Sequence, residues 1–146
     1  MDRWRLWVFA AVLEDAPGSL LTLVSAFANR AVSLLSVLGC GASITGEGLV
    51  LVSFRCSERR RRELERVVRR LAVVRSVEAV EVEEPERGRV VLMEVTREGL
   101  SAPEGLRLVR LTERWLLAGG PEPVLRPMLR GAIDAGIVAR HAEVML

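Results

Sequence analysis

The sequence has no lysine, glutamine or tyrosine, and only one histidine and one asparagine. With His141 as the sole imidazole, a histidine-rich metal site is excluded. A Ser-His-Asp arrangement would have to use a residue in an extended C-terminal segment with no nucleophile motif beside it. The two cysteines, Cys40 and Cys56, stand in neither CxxC nor zinc-ligand spacing, and each falls in an apolar strand pattern. They read as buried, reduced thiols, at best diagonal neighbours across a hairpin, which disfavours a disulfide. Aromatic residues make up 4% of the chain, too few to interleave a stacking platform for single-stranded nucleic acid. No apolar run approaches the roughly 20 residues of a membrane span. The start, Met1-Asp2-Arg3-Trp4-Arg5, lacks the uninterrupted apolar core and small-residue cleavage site of a signal peptide. The expectation is a soluble cytoplasmic protein, with neither membrane nor nucleic acid as partner.

What is present is apolar and arginine-rich. Half of the 146 residues are hydrophobic, enough to build one ordinary domain or two small ones. All 21 basic residues are arginine, set against 19 acids for a net charge of +2. Arg59-Arg60-Arg61-Arg62, with Arg66, Arg69 and Arg70, resembles a nucleic-acid signal at first. Glu58–Arg62 and Glu65–Arg69 at i, i+4 and Glu63–Arg66 at i, i+3 neutralise part of it, so it reads as a solvated helix face.

Arg5 to Leu13 reads as a strand with Leu6, Val8, Ala10 and Val12 on one face and Trp7, Phe9, Ala11 and Leu13 on the other. Apolar residues on both faces imply a central strand. A helix follows from about Ala16 to Asn29, with an inward stripe of Leu20, Leu23, Val24, Phe27 and Ala31. Leu34 to Ile44 and Leu49 to Cys56 form a hairpin around Thr45-Gly46-Glu47-Gly48. Leu38, Cys40, Ala42 and Ile44 make one face of its first strand; Val37, Gly39, Gly41 and Ser43 make a small opposite face. Ser57 caps a helix from Glu58 to about Val73, with Leu64, Val67, Val68 and Leu71 inward, and Ser76 to Glu83 reads as an edge strand. Glu83-Glu84-Pro85-Glu86-Arg87-Gly88 is the best boundary in the chain.

Beyond it a shortened version of the same order recurs. Arg89–Thr96, Leu106–Leu111 and Arg114–Ala118 are strands, and Arg97 to Gly105 is too broken for a helix. Pro121 to about Ala135 is a helix, with Val124, Leu125, Met128, Leu129, Ala132 and Ile133 inward and Pro127 expected to break or delay it. Gly136 fits its C′ position, and Arg140 to Leu146 closes as a strand.

The chemistry concentrates in Asp15-Ala16-Pro17-Gly18-Ser19-Leu20, between the first strand and first helix. Asp15 is a candidate N-cap, Pro17 fits a first turn, and Gly18 lets another molecule approach the backbone. A helix start offers free N–H groups and partial positive charge, suited to a carboxylate or phosphate.

In this strand–helix order, that turn resembles the ACT domain, a small ferredoxin-like regulatory module, over residues 5–83. A complete unit, a charged linker and a second unit together resemble the small regulatory subunit of acetolactate synthase. The match includes Leu20-Leu21-Thr22-Leu23-Val24-Ser25-Ala26-Phe27-Ala28-Asn29-Arg30 in the first helix and Leu35-Ser36-Val37 in the second strand. The fold expected is α+β: a ferredoxin-like βαββαβ ACT domain over 1–84, then a shortened ACT-like α+β unit over 89–146.

The resemblance implies no catalysis, no metal and no cofactor. It implies a homodimer or higher homo-oligomer, and binding of a small amino-acid effector (valine, leucine or isoleucine) between paired units. It also implies feedback regulation of a separate catalytic synthase subunit. The effector residues implied are Asp15, Pro17, Gly18, Ser19, Leu20 and Ser33. N–H groups of Gly18, Ser19 and Leu20 would take the carboxylate, and Asp15 the ammonium. The family usually has Asn where this chain has Asp15, and Gly-x-Asn where it has Ala31-Val32-Ser33. Two other readings use the same fold: an interaction module without a ligand, and a ferredoxin-like RNA binder using the arginine helix.

Overall fold

The structure, a computed structural model, describes residues 3–40, 47–82 and 88–144. The Thr45-Gly46 part of the hairpin turn, the end of its first strand over 41–44, and the linker over 83–87 lie outside the described residues. The chain divides into two compact units, Met1–Glu83 and Glu84–Leu146.

The first unit runs β1 (Arg5–Glu14), α1 (Ser19–Ala28), β2 (Leu34–Cys40), β3 (Glu47–Cys56), α2 (Glu58–Arg69) and β4 (Val74–Val82). Its antiparallel sheet has the order β2-β3-β1-β4, the ferredoxin-like arrangement. β1 is central, as a strand apolar on both faces must be. Trp7, Phe9, Ala11 and Leu13 enter the core with Leu23 and Phe27 of α1, Val52 and Phe54 of β3, and Leu64 and Val68 of α2. Phe9, Phe27 and Phe54 meet edge-on, with ring centres 4.8 to 5.8 Å apart. Trp7 and Phe9 are 5% and 0% exposed, so neither can stack a nucleotide base as the RNA-binding reading requires. Leu6, Val8 and Ala10 on the other face are buried as well.

The second unit runs β5 (Gly88–Val95), β6 (Arg107–Arg110), β7 (Trp115–Pro121), α3 (Glu122–Asp134) and β8 (Val138–Val144). The sheet order is β6-β7-β5-β8, the first unit's order repeated strand for strand. No helix forms between β5 and β6. That connection passes so close to β7 that a Cβ on Gly120 would lie 2.8 Å from the Gly105 carbonyl and 2.4 Å from Leu106 Cδ2. Gly105, at φ 88°, turns it into β6. Leu125, Leu129 and Ala132 of α3 close this unit's core.

Several expectations need correction. Leu20 and Ala31 do not face the core; Ser19, Leu23, Ala26 and Phe27 do. Val24 of α1 and Val124 of α3 are only half-buried and Ile133 is exposed, while Met128, half-buried, packs against the core as expected. Pro127 neither breaks nor delays α3, which runs through it from Glu122. Glu63 pairs with Arg59 at 3.5 Å, not with Arg66, while Glu58–Arg62 and Glu65–Arg69 form as expected. Cys40 pairs in register with Leu49, seven positions along β3 from Cys56, far beyond disulfide reach. Cys56 is a free, buried thiol.

Candidate functional site

Between β1 and α1 the chain makes a tight turn. Ser19 N–H donates to the Ala16 carbonyl at 3.2 Å, with Pro17 and Gly18 at the two central positions. Gly18 has φ 86° and ψ −11°, the third-position geometry of a type II turn, which Pro-Gly favours. A left-handed residue cannot be helical, so α1 starts at Ser19 and not at Ala16. Gly18 takes the N-cap position and no side chain caps the helix. Asp15, expected there, lies exposed ahead of the turn, and Pro17 precedes the helix.

This changes which donors are free. The Ser19 N–H is used within the turn, and the Thr22 N–H and hydroxyl both donate to the Gly18 carbonyl at 3.0 Å. The N–H groups of Leu20 and Leu21 have no intrahelical acceptor. No acidic side chain sits in the first turn to compete for them. Ser19 itself is 5% exposed, and its Oγ has no hydrogen-bond partner among the described residues. A Cβ at Gly18 would meet nothing within 4 Å, so space is open over the turn. Two backbone donors and the positive end of a helix lie beside it, while the Ser19 hydroxyl is buried.

Ser33 is elsewhere. β2 begins at Leu34, which pairs with Phe54, the residue opposite Trp7 near the start of β1. The turn lies beyond Glu14 at the other end of β1, about 24 Å from Trp7 at ~3.4 Å per residue. Asp15, Pro17, Gly18, Ser19 and Leu20 thus lie together, and Ser33 stands at the opposite end of the same sheet.

The α1–β2 connection that carries Ser33 is tightly held. Val32 is buried, and its N–H donates to the Phe27 carbonyl at 3.1 Å across Ala31, which has φ 54°. This is a Schellman-type end with alanine where glycine is usual. Arg30 Nη1 donates to the Ala26 carbonyl at 3.1 Å, and Arg60 Nη2 donates to the Arg30 carbonyl.

The outer side of this region is apolar. α1 carries no charged residue, yet Leu20 is 46% and Leu21 70% exposed. On β2, an outer strand of the sheet, Leu35 is 51% and Val37 44% exposed.

Sequence reasoning overlooked Leu21 as a donor and the role of the arginine run. Arg61 lies 4.8 Å over the Trp7 ring and pairs with Glu65 at 2.5 Å. Burial drives the Glu65 carboxyl up, but hydrogen bonds from Arg69 and Arg61 outweigh it and hold the group below its ordinary range. Glu58 is held low chiefly by its hydrogen bond from Arg62. Burial pushes the Cys56 thiol up to about 11, against the pull of Arg60 and Arg61. Among the described residues no group of acids, cysteines or histidine is placed to hold a metal. The second unit has an open groove of about 610 Å3 lined by residues such as Leu100, Pro103, Val124, Pro127, Met128 and Ile137, with no titratable side chain in its lining. No helix among the described residues is long and apolar enough to cross a membrane.

No family model and no curated protein matches this sequence. Among solved structures it is similar to the small subunit of acetolactate synthase from Thermotoga maritima, at 14% identity and TM-score 0.48, over 96% of this chain and 93% of that one. It is also similar to an uncharacterized protein from Thermotoga maritima, at 15% and 0.48, over 56% of this chain and all of that one. A third is the ligand-free regulatory subunit of aspartate kinase from Thermus thermophilus, at 15% and 0.44, over 91% of this chain and 95% of that one. The likeness is one of fold, and that fold stands on this chain's own strand orders: two ferredoxin-like α+β units, each with one four-stranded antiparallel sheet.

Proposed function

We propose that the chain is a non-catalytic regulatory protein whose first unit binds a free amino acid at the start of α1. The observation that carries this reading is the open turn at Gly18 at the very start of α1, where the N–H groups of Leu20 and Leu21 have no intrahelical acceptor and no side chain caps the helix. The effector's carboxylate accepts from these N–H groups, and Asp15, exposed just ahead of the turn, is the candidate acceptor for its ammonium. A branched aliphatic effector (valine, leucine or isoleucine) suits the apolar surroundings of Leu20 and Leu21.

Ser33 contributes from a second copy. Two β2 edges brought together antiparallel set the turn of one copy level with the α1–β2 connection of the other. The exposed Leu20, Leu21, Leu35 and Val37 lie along that side. Effector binding then favours one pairing of copies over another, and that difference is what a catalytic partner in the cytoplasm reads.

A thermal-shift screen against the twenty amino acids tests the reading. At about 100 times Kd a bound effector adds roughly 2.7 kcal/mol, a rise of several degrees in Tm. The expected result is a saturable rise with a branched aliphatic amino acid that Asp15→Ala reduces and Gly18→Val removes. A flat response to all twenty, with the dimer intact by light scattering, favours an interaction module without a ligand.

A further inference from the structure

We propose that Arg60, at the start of the arginine run, is a positioning residue for the Ser33 half of the effector site. This rests on the reading above, in which Ser33 reaches the effector from a second copy. The peptide joining Arg30 to Ala31 is held at both ends. Its N–H donates to the Ala28 carbonyl at 3.0 Å, and its carbonyl accepts from Arg60 Nη2, which reaches across from α2. The same peptide leads into Ala31 at φ 54°, the one non-glycine residue with positive φ among those described. A side chain in that region is strained and persists only where its surroundings hold it. Val32 is then anchored by burial and by its bond to the Phe27 carbonyl, and Ser33 emerges exposed directly after it.

Arg60 does this through its guanidinium alone. Its backbone N–H is the one that Ser57 Oγ accepts from at 3.3 Å, so replacing the side chain leaves the α2 cap in place. Glu58, Glu63 and Glu65 pair with Arg59, Arg61, Arg62 and Arg69, and Arg60 goes to the carbonyl instead. One member of what reads as a solvated charge run is thereby tied to the connection that carries Ser33.

The experiment compares the full-length chain with Arg60→Met, Arg60→Lys, Ser33→Ala and the Arg60→Met/Ser33→Ala pair. Amide hydrogen exchange is followed over residues 28–34, and valine affinity is measured by calorimetry. Arg60→Met should speed exchange at Ala31 to Ser33 while leaving the core amides of β1 and β3 unchanged. It should weaken valine binding about tenfold, the worth of one charge-assisted hydrogen bond. Arg60→Lys, which keeps a cationic donor, should recover most of the loss. The double variant should bind no more weakly than Ser33→Ala alone, because both changes remove the same contact; a purely structural role would make the losses multiply. Unchanged exchange in Arg60→Met, or multiplied losses, overturns the proposal. Faster exchange in a chain that binds no amino acid supports Arg60 as the holder of this connection and overturns the amino-acid reading instead.

Discussion

Single backbone conformations decide where the site lies. Gly18 sits at φ 86°, where a side chain is strained even though the space above it is open. Gly18→Val should therefore cost about 1–3 kcal/mol in urea unfolding and block the turn as well. Ala31 makes the reverse case. At φ 54° on a Schellman-type helix end, glycine fits better, so Ala31→Gly should stabilise the chain by about 0.5–1 kcal/mol in the same measurement. Cys56, buried and with its thiol pushed up to about 11, should stay unreactive toward a thiol reagent at pH 8 until the first unit unfolds. Much of the turn was legible in the sequence, because Asp-Ala-Pro-Gly between a strand and a helix can be little else. Its interior was not. Whether Pro-Gly opens a helix or closes a type II turn before one depends on the sign of φ at Gly18, which composition does not give.

At the scale of elements, α2 draws stability from carboxylates held in their ionised form. Glu58 and Glu65 both titrate below their ordinary value of 4.5 in the folded chain, so their contribution is full above the unfolded value. It is lost as pH falls through the lowered folded values. Unfolding midpoints measured from pH 6 downward should hold steady to about pH 5 and then decline, and Glu65→Gln should flatten part of that decline. In the second unit, Gly120 admits the connection that replaces a helix. Gly120→Val should cost about 1–3 kcal/mol, since the Leu106 side chain at 2.4 Å can swing away but the Gly105 carbonyl at 2.8 Å behind it cannot. Strands and helices were legible to within a few residues, because their periodicity comes from burying one face. The helix faces were less so. Leu20 fits the inward spacing of α1, but a helix without a charged residue, with only Ser19, Thr22 and Ser25 polar, gives little to say which way it points. Nothing in the Arg59–Arg62 run distinguishes Arg60, whose acceptor comes from another helix, from its neighbours.

For the whole molecule, the two units share one strand order and differ at one element. Among the described residues only the first pairs a left-handed glycine turn directly with a helix start. Gly105 makes a similar turn in the second, but β6 follows it. Within one chain, Ser33 and the Gly18 turn stand at opposite ends of a sheet. On the proposed reading a site that includes both would need a second copy; the separation was not legible in the sequence, since it follows from strand direction and register. Calorimetric titration of valine, leucine and isoleucine into the full chain, with oligomeric state followed by light scattering, tests this most directly. The account predicts saturable binding by at least one of the three, weakening on dilution below the dimer range, lost in Gly18→Val and reduced in Ser33→Ala. Binding that persists unchanged in a monomer, or in Gly18→Val, would contradict it.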